Sequence, residues 1–284
     1  MTLWLVQAIN GLSYGMLLFI LGAGLTLGFG LLRIINLAHG SYYLLGGYIG
    51  INVFAATGSF WLALLVSGST IALLGFAMWK VLLNRYLSNE LAMVLLTFGF
   101  MLLIADLSLW QFGGAPQTIP APMPFEGAVR IGQLRFPAYR LFLFVAGLMV
   151  AIFLWWLIEW TRVGMQVRAA VNDPQMAGGL GVNVGRVMTF VFVLSACLAG
   201  MAGVLGGPLI GVYPGADLVV LLLAIVIVIL GGLGSLKGAF VGALMVGLLD
   251  TAGRTFFPEF SLFAIFVPMA LILIVRPSGL FGRA

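Results

Sequence analysis

The chain has 284 residues, of which 63% are hydrophobic and 7% charged, with 13 Lys and Arg against 8 Asp and Glu for a net charge of +5. A soluble domain carries roughly a quarter charged residues, so this composition excludes a water-facing coat. The basic residues stand singly at the ends of apolar runs, which excludes a nucleic-acid patch and places them where membrane insertion leaves them.

From the N-terminus, Met1 to Leu32 has no basic leader and an apolar stretch too long for a signal peptide, so it is expected to be a retained first span. Runs near the 20 residues that cross a bilayer then recur to the end of the chain. The predicted spans are 9–32, 37–57, 60–83, 91–111, 139–160, 187–206, 217–233, 237–256 and 260–275. They lack the period-2 alternation of barrel strands, and lipid leaves no partner for an unpaired backbone group, so only helices fit. The expected fold is an all-α polytopic bundle of about nine spans (8 to 10), one transmembrane domain over 1–284.

Arg33, Lys80, Arg85, Arg162, Arg168, Arg186, Lys237, Arg276 and Arg283 collect on one side of this arrangement, and Arg130, Arg135, Arg140 and Arg254 on the other. The richer side is read as cytoplasmic, which sets the N-terminus outside and the C-terminus inside. His39 is the only histidine and stands beside Asn36 at the expected cytoplasmic entrance to the second span. It reads first as a hydrogen-bonding structural residue and second as a gate or proton relay. Glycines fall on the membrane runs at Gly22, Gly24, Gly28, Gly30, Gly46, Gly47, Gly50, Gly238, Gly242 and Gly247. Close helix packing is the first reading of most of them, and a glycine-lined passage the second.

Two connections exceed a turn. The outer one, 113–138, holds Pro116, Pro120, Pro122, Pro124 and Pro137 and is expected to be extended or irregular. The inner one, 161–186, contains a helix start at Asp173-Pro174, where the carboxylate can accept from free first-turn N–H groups and proline gives up a donor without a partner. Gly181 supplies the stop. A helix of about seven residues is too short to persist alone in water, and exposed Gln175, Met176 and Leu180 leave two readings open: a docking element, or a loop helix resting on lipid or on its own bundle.

Chemistry is otherwise sparse. Cys197 is the single cysteine, so neither an intrachain disulfide nor a thiolate metal cluster can form. Asp106, Asp217, Asp250 and Arg254 fall near expected outer span ends, where charge is cheap. No His, Asp or Glu cluster or activated nucleophile appears at span depth, so there is no candidate catalytic or metal site. Few charges at depth argue against an ion-coupled pump, and no Gly-x-x-x-x-Gly-Lys-Ser/Thr loop is present to hold a nucleotide.

The stretch Arg168-Ala-Ala-Val-Asn-Asp173-Pro-Gln-Met-Ala177-Gly-Gly-Leu-Gly181-Val-Asn183-Val resembles the coupling loop of H-type permeases in the high-affinity branched-chain amino acid ABC transporter family. Three other stretches resemble that family in the same order: Arg33-Ile-Ile-Asn36-Leu-Ala-His39-Gly40, Gly231-Gly-Leu-Gly234-Ser235-Leu-Lys-Gly238-Ala and Arg276-Pro-Ser-Gly279-Leu-Phe-Gly282. One departure stands out: Gly178 and Gly179 sit where the family favours helix formers. Each costs about 1 kcal/mol of helix stability, so the short helix is expected to form on contact with its partner.

The resemblance implies the permease subunit of an ATP-driven importer in the bacterial inner membrane, working by alternating access. It implies a second related permease subunit in a heterodimer, two cytoplasmic ATPase subunits and a periplasmic substrate-binding protein. The chain itself then binds no cofactor, ATP being used by the partners. On this reading Arg168, Asp173, Pro174, Gln175, Met176, Ala177, Leu180 and Gly181 couple to the ATPase, and Asn36, His39, Gly40, Gly46, Gly47, Gly234 and Ser235 are the candidate gate or passage. Branched-chain amino acids, amides, urea or aromatic acids are the implied substrates, and a nearly uncharged passage suits neutral or zwitterionic ones. The rivals are a channel or facilitator for a small neutral solute, and a membrane-embedded enzyme.

Overall fold

The computed structural model describes residues 2–32, 35–87, 89–131, 134–256 and 258–282. In chain order its elements are α1 (Thr2–Leu32), α2 (His39–Thr57), α3 (Phe60–Val81), α4 (Glu90–Phe112), β1 (Ala128–Ile131), β2 (Leu134–Pro137), α5 (Ala138–Trp160), α6 (Arg162–Asn172), α7 (Pro174–Gly179), α8 (Val184–Ile210), α9 (Ala216–Gly231), α10 (Leu236–Phe256) and α11 (Ser261–Val275). All of the helices except α6 and α7 fall on the predicted apolar runs. Arg33 and Arg283, assigned to the inner side by the sequence, lie outside the described residues.

Among the described residues six helices are long and apolar enough to cross a membrane: α1, α3, α4, α5, α8 and α10. The other three helices on predicted apolar runs, α2, α9 and α11, fall short for different reasons. Helices α9 and α11 have 16 and 15 residues. Helix α2 has 19, but Ser41, three tyrosines, Asn52 and several glycines dilute its apolar character.

Helix α1 is the buried centre, packed by α10, α8, α5 and α9. Lipid offers no hydrophobic drive between helices, so backbones must approach closely enough for dispersion to hold them. Gly15 makes that approach possible: a Cβ there would stand 2.8 Å from the Ala243 carbonyl of α10. Helices α3, α4 and α5 turn rows of leucine, phenylalanine and tryptophan outward, including Leu73, Leu95, Leu107 and Phe153, as a lipid-facing surface requires.

Two connections differ from expectation. The outer loop is not wholly irregular, because its last third folds into an antiparallel hairpin with Val129 opposite Phe136 and Arg130 opposite Arg135. Pro137 is the last residue of β2, where a missing donor does not break the pairing. Its first third dips back into the bundle, where Gln117 bridges Val212 and Ile119 is buried against α8. The inner loop holds a second helix, α6, before the expected short one. Thr161 caps α6 through Gly164 N–H, and Val167 and Ala170 bury one face against Leu31, Val187 and Val191.

Candidate functional site: the α6–α7 loop and the buried junction of α2 and α9

The loop is built on two consecutive caps. Asp173 Oδ1 accepts from the N–H groups of Gln175 and Met176 at 2.9 Å each, with Pro174 in the first turn. At the far end Val182 N–H reaches the Ala177 carbonyl and Gly181 N–H the Gly178 carbonyl, both at 3.0 Å, around Gly181 at φ +86°. This is a Schellman closure, and its left-handed residue is cheap only as glycine. Capped at both ends, α7 is formed in the chain alone despite Gly178 and Gly179, whereas the sequence ties its formation to a partner.

Ala177 is buried beneath α7, while Met176 and Leu180 are 63% and 79% exposed and Gln175 is exposed with them. Arg168 points from α6 to the end of α5, pairing with Glu159 at 3.4 Å and donating to the Ile158 carbonyl. Of the residues read as coupling, Gln175, Met176 and Leu180 are therefore exposed together on α7 and its end, while Ala177 packs inward and Arg168 turns to α5. Lys80, Arg85, Arg162, Arg186, Lys237 and Arg276 share that end of the bundle, and Arg135, Arg140 and Arg254 occupy the other, because the long helices alternate in direction.

The candidate passage residues divide into two groups. Gly234 and Ser235 form the α9–α10 turn at the α6–α7 end, where Gly234, at φ +76°, touches Gly30 of α1. Ser235 Oγ caps α10 by accepting from Gly238 N–H at 3.1 Å. With Arg168 they line an open cavity of about 660 Å³. The C-terminal stretch closes over the end of α9: Leu280 and Phe281 N–H groups bond the Leu230 and Gly231 carbonyls at 2.9 and 3.0 Å. Two of the glycine-rich stretches thus meet, satisfying carbonyls that a helix end leaves free.

Asn36, His39, Gly40, Gly46 and Gly47 lie inside the bundle, not at an entrance. His39 is fully buried, with Nε2 2.9 Å from the Leu21 carbonyl and Nδ1 3.4 Å from Ser195 Oγ. Leu21 offers an acceptor and Ser195 a donor, so the ring takes the Nε2–H tautomer and ties α2 to α1 and α8. Leu21 lies eleven residues before the end of α1, about 16 Å at 1.5 Å per residue. Thr97 and Met101, near the middle of α4, bond Leu37 N–H and Ser41 Oγ. Helix α2 consequently starts at mid-depth. The backbone leading to it is non-helical and is paired locally: Asn36 Oδ1 takes Ala38 N–H and Thr97 Oγ1 takes Leu37 N–H, as burial in an apolar medium demands.

Helix α9 starts at the same level. Residues 211–215 descend from the end of α8, and Asp217, 3% exposed, accepts from Ser41 Oγ at 3.2 Å. The sequence sets Asp217 near an outer span end, but the descending segment carries it to mid-depth. The first turns of α2 and α9 touch there, and a Cβ on Gly40 would strike the Asp217 carbonyl. The carboxylate has no ion-pair partner among the described residues, and two helix N-termini stabilise it instead. Gly46 and Gly47 pack on α8, a Cβ at Gly46 standing 2.6 Å from Gly200 Cα, and Ser67 Oγ donates to the Gly46 and Gly200 carbonyls.

Asp217→Asn keeps an acceptor for Ser41 and loses only the interaction of charge with the helix ends, about 1 kcal/mol. Asp217→Leu leaves the Ser41 hydroxyl only the Met101 carbonyl as acceptor and sets a bulkier apolar side chain where the two helix starts touch, and is expected to cost about 2–3 kcal/mol. Thermal melting of the two purified variants should separate them, and equal melting points would remove the carboxylate from this account.

The geometry defines a polytopic helical membrane protein with interrupted helices at its centre and a capped loop on one face. The family model described as the branched-chain amino acid transport system / permease component matches residues 7–275, and the chain belongs to that family. It is similar to the high-affinity branched-chain amino acid transport system permease protein BraD of Pseudomonas aeruginosa, at 27% identity over 99% of this chain and 96% of the relative. The permease protein LivH of Escherichia coli K12 shows 27% identity over the same shares. Permease protein LivM of the same organism is 29% identical over 93% of this chain and 68% of its own length. No solved structure matches the chain significantly.

Proposed function

We propose that this chain is one membrane subunit of an ATP-driven importer of branched-chain amino acids in the bacterial inner membrane. The observation that carries this reading is the loop 161–186: a doubly capped helix presenting Met176 and Leu180 outward on the more basic face of the bundle. Positive charge concentrates on the cytoplasmic side, so that face meets the cytosol, with the N-terminus outside and the C-terminus inside. Exposed apolar side chains on a rigid short helix are an anchor for a soluble partner, and two ATPase subunits are the partners the family implies. A second, related permease completes the passage, and a substrate-binding protein in the periplasm feeds it. The similarity of one chain to relatives named LivH and LivM supports pairing of two homologous subunits.

In this scheme closure of the ATPases pulls on α6 and α7, and the interrupted helices α2 and α9 supply the place where the bundle yields. Broken helices meeting at mid-depth are the usual seat of such motion and of solute contact in transporters. Vesicles holding this chain alone are expected to show no concentrative leucine uptake. Vesicles holding the subunit set encoded with it are expected to show uptake that stops without ATP. Downhill equilibration of leucine by the chain alone would favour the facilitator rival, and concentrative uptake by it would overturn the reading that a partner supplies the energy.

A further inference from the structure

The open cavity beside Gly234 and Ser235 lies at a membrane depth that neighbouring side chains mark. Trp155, Trp156 and Trp160, in the last turns of α5, are all exposed on the bundle surface. Tryptophan collects where hydrocarbon gives way to headgroups, so this end of α5 stands at headgroup level. Trp155 belongs to that belt and also forms part of the cavity wall. Leu148 and Ile152, seven and three residues before it, point outward from the same face of α5. Together the three make an apolar track from the lipid-facing surface into the cavity, and Leu27 and Phe29 of α1 continue the apolar lining inside.

Three charged side chains line the space: Arg168, Glu159 and Lys237. Arg168 and Glu159 pair at 3.4 Å, and Arg168 also donates to the Ile158 carbonyl, so these two charges offset each other. Lys237, exposed in the first turn of α10, has no ion-pair partner among the described residues. Two cations against one carboxylate leave the cavity one positive charge in excess. A hydrocarbon chain alone would leave Lys237 without a counter-ion, and a small soluble anion would leave the track from Leu148 to Trp155 uncovered. An anionic headgroup joined to an acyl chain meets both conditions, and a basic side chain at headgroup level favours such a lipid.

We propose that this cavity is a binding site for an anionic phospholipid, its headgroup phosphate on Lys237 and an acyl chain along Trp155, Ile152 and Leu148. That the lipid comes from the cytoplasmic leaflet rests on the orientation given under the proposed function; the binding itself does not. Both α6 and the α9–α10 turn contribute walls, so the bound lipid braces the helix that precedes α7 against the start of α10.

Native mass spectrometry of the full chain in detergent titrated with phosphatidylglycerol tests this. A first phosphatidylglycerol is expected to bind about tenfold more tightly than phosphatidylcholine, and Lys237→Gln is expected to erase that difference by removing one charge-assisted contact. Lys237→Arg should retain it, as should Lys80→Gln, which lies at the same end of the bundle but outside the cavity. Glu159→Gln should bind phosphatidylglycerol at least as tightly as the unaltered chain, because no carboxylate then opposes the phosphate. Glycerol 3-phosphate at millimolar concentration should not displace the lipid. Equal retention of phosphatidylcholine, an unchanged preference in Lys237→Gln, weaker binding in Glu159→Gln, or displacement by glycerol 3-phosphate would each overturn the proposal. The measurement involves neither the ATPases nor leucine, so its failure leaves the importer reading standing.

Discussion

Gly203→Val is expected to prevent stable folding of the bundle, whereas Gly28→Ala is expected to leave its melting temperature unchanged or slightly raised. A Cβ at Gly203 would fall on the Tyr43 carbonyl and within 2.6 Å of Gly47 N. Both are backbone atoms of α2, so no rotamer change relieves the overlap and the two helices must separate. Overpacking of this kind costs about 1–3 kcal/mol and more where backbone meets backbone. The move would also pull Gly46 from Gly200 and break the Ser67 Oγ bonds to their carbonyls, at 2.7 and 3.1 Å. At Gly28 the nearest atom to a new Cβ is Ser195 Oγ at 3.5 Å, ordinary contact, and alanine is a better helix former by about 1 kcal/mol. Size-exclusion profiles and thermal melting in detergent distinguish the two. A monodisperse, unshifted Gly203→Val protein would mean that α2 and α8 are not packed as described.

The same residues show where reading a sequence stops. The helices were legible because about 20 apolar residues bounded by charge leave few alternatives in lipid. The caps of α7 were legible because Asp-Pro and a later glycine act through bonds only a few residues long. Hydropathy, however, measures polarity along the chain and not depth. Residues 35–38 and 211–215 belong to short connections between apolar runs, and nothing local says that each lies inside the bundle. Their depth is fixed by partners remote in sequence: Thr97 for Leu37, with Leu21, Met101 and Ser195 holding the first turn of α2, and Gln117 for Val212. So His39 and Asp217 read as boundary residues, although both are buried at mid-depth. Helix α6 was hidden for a different reason: its charges look like loop, and its apolar face at Val167 and Ala170 has meaning only once Leu31 and Val191 are beside it. The hairpin 128–137 was masked by the prolines around it.

Met176→Glu combined with Leu180→Glu is expected to release the ATPase subunits while leaving the membrane bundle intact. Both side chains are exposed and neither belongs to the hydrophobic clusters of the chain, so the folded subunit loses nothing by the exchange. In a docked complex the same positions would bury two carboxylates in a cleft shaped for apolar atoms. Loss of two anchor side chains together with that desolvation amounts to about 3 kcal/mol or more, on the order of 100-fold in affinity. Asp173→Ala acts on the same interface by a second route, since it deprives Gln175 and Met176 N–H groups of their 2.9 Å acceptor and costs about 1 kcal/mol of helix stability. Its effect on docking should be smaller, near fivefold to tenfold. Gln175→Ala, which removes a polar side chain from the same exposed face, should change least. This order, double glutamate worst, cap deletion intermediate and Gln175→Ala mildest, follows from apolar anchoring on a prefolded helix. Co-purification of the ATPases with each variant reads it out, and retention of full binding by the double glutamate variant would place the docking surface elsewhere on the protein.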